Sequence, residues 1–287
     1  MSLLKAALKR ADLPKIEVFK SADSPIPLPG NAIEKVFHYA AFAEHLDKYH
    51  LMHGWYQETM HPCYPQVLGL SLQLDLLLGE QSPFPLLGLV HLGNHIDVLA
   101  PMKKADLTLS ANLSMVKHHR KGLLVLVTVT MRQQQEVVCV ATGEYLYRCS
   151  MPSEIAAQES DSAPIEPLDP HYSQTQFDLS SAIGRQYAAI SGDYNPIHLW
   201  PLSAKLFGFP RNIAHGMHTL AMAVSVMEKH WQSPFKAHRI DASFMAAALL
   251  PQRVDLRLDA ETNRFELHQA AKQLHKQLVL SGQVTAL

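Results

Sequence analysis

Gln66, Val67, Leu70, Leu74 and Leu77 stand 150 positions before Gly216, Met217, Leu220, Val224 and Met227, so one apolar helical pattern occurs twice in a fixed register. Pro101 and Pro251 keep the same offset, and Asp106-Leu-Thr-Leu109 precedes Asp255-Leu-Arg-Leu258 by 149. A near-constant offset across several elements marks an internal duplication. The chain is therefore expected to fold as two copies of one unit.

In the first copy, Pro65 suits the first turn of a helix, Val67, Leu70, Leu74, Leu77 and Leu78 recur at helical spacing, and Gly79 is placed to end it. Asp75 is the sole charge inside, which predicts a helix buried on most sides. Strands are expected at Leu86–Ile96, Leu107–Leu113, Leu123–Thr130 and Val137–Tyr147, rich in Val, Leu, Thr and Tyr. The second copy repeats them near Ala237–Met245, Arg253–Leu258, Arg264–Gln269 and Gln273–Val284. Consecutive strands with one long helix read as α+β, the helix packed on one face of an antiparallel sheet. Two such units gain by joining edges, because the join removes exposed strand edges.

Residues 1–38 read as a leading arm interrupted by Pro14 and by Pro25-Ile-Pro-Leu-Pro29-Gly30, and a helix is expected from about Ile33 to His50. Lys117-His118-His119-Arg120-Lys121 falls between two strands and reads as a solvated turn, or less readily as a phosphate contact. Prolines 152, 164, 167 and 170 among Ser, Glu and Asp mark a linker. The expected division is 1–150, a linker at 151–172, and 173–287.

At 287 residues, 47% hydrophobic and 18% charged, the chain can fill a core. A formal net charge of −1 gives no footprint for nucleic acid or an acidic membrane surface. The cysteines, Cys63, Cys139 and Cys149, lack metal spacing and fit a reducing compartment. With no signal-like N-terminus and no apolar run of membrane length, a cytoplasmic protein is expected. No phosphate-binding loop, nucleophile elbow or dinucleotide fingerprint is present in the sequence, and no cofactor is called for.

The chemistry-bearing stretch is Tyr187-Ala-Ala-Ile-Ser-Gly-Asp193-Tyr-Asn195-Pro196-Ile-His198, followed by His215-Gly216-Met217 at the head of the second apolar helix. A carboxylate and an imidazole five residues apart can share one water, the imidazole exchanging protons near its ordinary pKa of ~6.5. Gly192 relaxes the backbone before the pair and Pro196 stops the preceding helix, so both side chains can turn to one point. Gly216 opens a helix whose first N–H groups are unpaired, a place for a developing oxyanion. Shifting Asp193 and His198 back by 150 lands on Ala43 and Lys48, and Gly216 becomes Gln66. The first copy thus keeps the scaffold without the reactive groups, and is expected to reshape a binding cavity toward longer or bulkier ligands.

The pattern Tyr187-x-x-Ile190-Ser191-Gly192-Asp193-x-Asn195-Pro196-Ile197-His198, then Ala204, then Ile213-Ala-His-Gly216-Met217, resembles the hydratase 2 motif of MaoC-like dehydratases and (R)-specific enoyl-CoA hydratases. The resemblance implies a double hot-dog: two antiparallel sheets, each wrapping a long central helix and pairing into one extended sheet. It implies that Asp193 and His198 act on a water, that Asn195 helps order them, and that the Gly216 amide binds the thioester oxygen, with His215 and Met217 beside the substrate. The implied reaction is reversible hydration of a trans-2-enoyl thioester, on CoA or an acyl-carrier protein, to the (R)-3-hydroxyacyl thioester. Nucleic-acid and membrane partners are not expected, and a homodimer is compatible with this reading. Trp200 departs from the family, which often carries Asp there.

Taken singly, Asp193 is more often a helix cap and His198 a satisfied polar side chain; their joint pattern with Asn195, Pro196 and the His-Gly-Met start favours chemistry. His215 and His218 with Asp193 can be drawn as a metal site, but no Cys or Glu completes a ligand set, and no metal is expected. The Met217, Leu220, Val224 and Met227 stripe reads as core. Phe207, Phe209 and Trp200 either line an entrance or pack the segment after the motif. A non-catalytic acyl-thioester binding protein and a hot-dog thioesterase remain the alternatives.

Overall fold

The structure is a computed structural model that describes residues 9–28, 30, 32–157, 168, 173–230, 237–271, 273 and 276–287. Its frame is a single antiparallel sheet of eleven strands. These are β1 Ile26–Pro27, β2 Ile33–Phe37, β3 Val90–Val98, β4 Leu107–His119, β5 Gly122–Gln133, β6 Glu136–Arg148, β7 Ser173–Leu179, β8 His238–Phe244, β9 Gln252–Asp259, β10 Arg264–Gln269 and β11 Leu278–Ala286. They run in the order β1-β4-β5-β6-β3-β8-β11-β10-β9-β7, with β2 also on β4. The alternation that makes a strand amphipathic is plain in β5, where Leu123, Val125, Val127, Val129 and Met131 are fully buried.

The helices are α1 Leu13–Ser21, α2 Tyr39–His53, α3 Tyr64–Leu68, α4 Leu70–Leu78, α5 Ser153–Ala156, α6 Ile183–Ser191, α7 Pro196–Leu199, α8 Pro201–Lys205 and α9 Gly216–His230. Leu220, Val224 and Met227 of α9 are buried, as the apolar stripe requires, and Leu72, Leu76 and Leu77 bury α4. Each part of the sheet thus covers an apolar helix, and β3 pairs with β8 through Ile96 opposite Ile240 to make the sheet continuous. This is the α+β double hot-dog.

Four details depart from the sequence reading. The first apolar helix is interrupted at Gly69, the poorest non-proline helix former. A side chain there would press on Val129, Leu109 and the Pro65 carbonyl, so the glycine lets the helix lie close to β4 and β5. Residues 33–37 are strand and not helix, paired with β4; α2 begins at Tyr39, whose N–H donates to Asp106 Oδ1 at 2.7 Å. Within the leading arm, Pro14 sits in the first turn of α1 and is no breaker there, Asp12 caps the helix, and Ile16 is buried. In the basic run, Lys117, His118 and His119 end β4, and His118 is tied to the Phe19 carbonyl at 2.9 Å, so only Arg120 and Lys121 form the turn. The expected linker lies largely outside the described residues. Within it, α5 and Leu168 are described, and Leu168 donates its N–H to Glu266.

Two kinds of contact hold β3 and β8 and the helices above them together. On the strands, Arg239 forms a two-pronged pair with Asp97, and His95 lies 2.5 Å from Asp241; Glu144 and Asp241 push the His95 pKa up to about 9. Above them, neutral imidazoles interlock. His53 donates from Nδ1 to the Tyr49 carbonyl, so its Nε2 accepts from His218 Nδ1 at 3.0 Å. His61 accepts the Cys63 N–H and donates to the Ala221 carbonyl of α9. Burial depresses His50 and His53 to about 4, and His61 and His218 also fall well below the usual value.

These depressed imidazoles set an acid limit. A histidine whose folded pKa lies below its unfolded value binds more protons when unfolded, so stability falls as pH drops from about 6.5 towards 4. Each contributes up to about 1.4 kcal/mol per pH unit in that window. His95, shifted the other way, keeps its contribution there and loses it as pH rises from about 6.5 through about 9. Urea midpoints should therefore be lower at pH 5 than at pH 7; equal midpoints contradict buried neutral imidazoles.

Candidate active site

Gly192 ends α6 in the left-handed conformation, φ 77°, as Gly54 ends α2 at φ 66° in the first half. The 150-residue offset does not hold in this region: Lys35 opposite Leu109 matches Ser173 opposite Leu258, an offset of 138 that also relates Gly54 to Gly192. Ala43 and Lys48 lie within α2, Lys48 in a solvent-facing ion pair with Glu44, and Trp55 follows Gly54 as Asp193 follows Gly192. After Gly192 the Asp193 carboxylate accepts the Asn195 N–H at 3.1 Å, and Asn195 caps the short α7 through the Ile197 N–H. Pro196 occupies the first turn of α7, and His198 follows from its last turn, buried.

His198 Nδ1 donates to the Ile213 carbonyl at 2.9 Å, which leaves Nε2 as the bare acceptor. Its ring stacks on His215 with centroids 3.7 Å apart. His215 reaches the Asp193 carbonyl at 3.0 Å, and its Nε2 is 3.8 Å from the Asp193 carboxylate. One donor atom from each of Asp193, His198 and His215 therefore lies within 4.8 Å of the others, a span that one water bridges with ordinary hydrogen bonds. The same three could hold a metal ion. His218, drawn beside His215 in the sequence, instead pairs with His53. Burial lowers the His198 pKa against the pull of Asp193, and burial with the His198 charge lowers His215 further, so both rings are neutral at pH 7.

The His215 carbonyl accepts the N–H groups of His218 and Thr219, which makes His215 the cap and leaves Gly216 and Met217 as the first two residues of α9. Their N–H groups precede the helix's own hydrogen bonds. A side chain at Gly216 would meet the Phe244 ring at 2.8 Å, so the bare backbone is needed where β8 crosses the helix start. Trp200 is more than half exposed, with the Arg185 guanidinium 4.0 Å above its ring and donating to the Leu199 carbonyl. Phe207 is exposed and Phe209 half-buried.

Two supports of this pair, Asn212 and Gly184, carry no sign of that role in the sequence. Asn212, 1% exposed, donates to the carbonyls of His198 and Ser181 and accepts the Leu250 N–H through its own carbonyl. Gly184 lies directly against the His198 carbonyl. Tyr187 packs between His53, His215 and His218. Asn212 and Gly184 adjoin the motif, but their partners are backbone groups brought near only by folding.

The family model of the MaoC like domain matches residues 165–279. The chain is 30% identical over 201 residues to 3-hydroxyacyl-thioester dehydratase X of Mycobacterium tuberculosis, covering 67% of each. The chain belongs to the MaoC-like dehydratase family. A shorter stretch of 40 residues, 14% of this chain and 13% of the relative, is 55% identical to the peroxisomal enoyl-CoA hydratase 2 of Arabidopsis thaliana. The crystal structure of HtdX of Mycobacterium tuberculosis superposes with a TM-score of 0.72 at 25% identity, covering 90% of this chain and all of that one. A MaoC-like dehydratase from Phytophthora capsici gives 0.68 at 17% identity over 90% of this chain and 95% of the other, a likeness of fold. As a MaoC-like dehydratase, the chain is an enzyme of the hydratase/dehydratase kind. No helix among the described residues is long and apolar enough to cross a membrane.

Gly184→Ala tests how this MaoC-like chain positions His198. The added methyl overlaps the His198 carbonyl, and relieving it should cost about 1–3 kcal/mol of stability. Displacing the imidazole should lower kcat/KM by about 10²-fold even where the fold survives, as read by steady-state kinetics beside a urea titration. Unchanged kinetics would show that α6 does not set the His198 position.

Proposed function

We propose that this chain catalyses the reversible hydration of a trans-2-enoyl thioester to the (R)-3-hydroxyacyl thioester, the acyl group carried by CoA or by an acyl-carrier protein. The observation that carries the reading is the approach of the Asp193 carboxylate and the neutral His198 to within one bridging water, beside the open start of α9.

A water held between the Asp193 carboxylate and His198 Nε2 would add its oxygen to C3 while the pair takes its proton. The double-bond electrons move onto the thioester oxygen, and the Gly216 N–H at the positive end of α9 stabilises that enolate. Return of the proton to C2 on the same face restores the carbonyl, so one water is added and no external acid or base is consumed. Asn195 serves by capping α7 and donating its N–H to Asp193, which fixes both ends of the pair. His215 stacks under His198, and Met217 stands next to Gly216. The division of labour belongs to the same proposal: residues 173–287 carry the acid/base groups, and residues 1–150, after which 151–172 links the units, shape the acyl cavity toward longer or bulkier chains.

Asp193→Asn and His198→Gln should each lower kcat/KM for a 3-hydroxyacyl-CoA by about 10²–10⁴-fold with circular dichroism unchanged. Full activity in either variant rejects the reading. Because burial holds the His198 pKa below 6.5, the acidic limb of kcat/KM should fall below pH 6.5; a limb at or above that value contradicts a buried neutral base.

A further inference from the structure

Against β6, the register of β3 shifts between His91 and Gly93. His91 lies opposite Tyr145 and Asn94 opposite Gly143, so three steps along β3 match two along β6. Such a bulge turns residues three apart onto one face, where regular pleating would put them on opposite faces. That face is the one turned to the candidate site. The Asn94 amide N–H is 3.4 Å from Met217 Sδ, in the first turn of α9. The His91 ring stacks on Tyr145 and meets the edge of Phe244, whose ring abuts Gly216. Asp193 acts electrostatically on both His91 and Tyr145.

Two polar atoms on this face lack a hydrogen-bond partner among the described residues. Asn94 is fully buried and its Oδ1 is unpartnered; His91 Nε2 is buried and unpartnered, while a backbone hydrogen bond to Gly93 occupies the other ring nitrogen. Burial depresses the His91 pKa to about 4, so the ring is neutral at pH 7 and its free nitrogen is an acceptor. With the Asn94 amide N–H on Met217 Sδ, its free oxygen is an acceptor too. A buried acceptor without a donor is costly, and its retention points to a donor that arrives with a ligand.

Resting on the proposed hydratase reading, we infer that His91 Nε2 and Asn94 Oδ1 form a two-acceptor wall, supplied by the half without the acid/base pair, that binds a hydrogen-bond donor of the thioester substrate. Two parts of such a substrate carry donors: the secondary amide N–H groups of the carrier arm, and a hydroxyl on the acyl chain. The residues act by positioning and take no part in proton transfer.

The test uses the full chain with His91→Phe, which keeps the stacked ring, and Asn94→Leu, which keeps the volume. Three substrates of one enoyl length are compared: the CoA thioester, the S-ethyl thioester that lacks amides, and a CoA thioester hydroxylated on the chain. If the arm amide is the donor, the preference for the CoA over the S-ethyl thioester in kcat/KM should fall about ten-fold in each variant, chiefly through KM. If the chain hydroxyl is the donor, the preference for the hydroxylated over the plain CoA substrate should fall instead. Either result supports the wall. Equal losses on all three substrates, or no loss on any, overturns it while wild-type turnover leaves the hydratase reading standing. A wild-type protein that neither turns over these thioesters nor binds a saturated acyl-CoA in calorimetry overturns both.

Discussion

The pairing of β3 with β8 is the contact on which the remaining arrangement depends. Each half of the chain makes a curved sheet with an open edge and one apolar helix that its own strands cover on one side only. Joining the edges satisfies the backbone groups of both strands and brings α2 against α9, where His218 donates to His53. The seam is thus polar in its details, with charge pairs along the strands and neutral imidazoles above them. It also fixes the place where residues from both halves can meet.

What separates the halves chemically is a few residues after a shared helix end. In the first, Gly54 ends Tyr39–His53 in the left-handed conformation and Trp55 follows, its Nε1–H donating to the Thr59 carbonyl. In the second, Gly192 ends α6 in the same conformation, Asp193 follows and accepts the Asn195 N–H, and Asn195 and Pro196 start the short α7. The α7 turn brings His198 inwards against His215. The residues that follow a shared helix end, more than a change of fold, distinguish the two halves.

The repeated apolar helices, the four-strand runs and the motif were legible in the sequence because each is local and periodic. The features that were not legible are of two kinds. Pro14 and residues 33–37 were misread because a proline at a helix start and a short edge strand leave the same local signals as a loop and a helix. Asn212, Gly184, His91 and Asn94 carried no signal because their partners are far along the chain, and a bulge in β3 decides which way two of them face. Trp200 looked like a departure in the sequence; in the fold its ring carries the Arg185 guanidinium at the surface, away from the buried imidazoles.

The most direct test of the account is to mix the protein with trans-2-enoyl-CoA esters of graded chain length and follow the absorbance of the conjugated enoyl thioester. The account predicts that the absorbance falls to an equilibrium value without release of free thiol, and that the product is the (R)-3-hydroxyacyl thioester. Stable absorbance at every chain length, on CoA and on carrier-protein thioesters alike, or the appearance of free thiol, would contradict it.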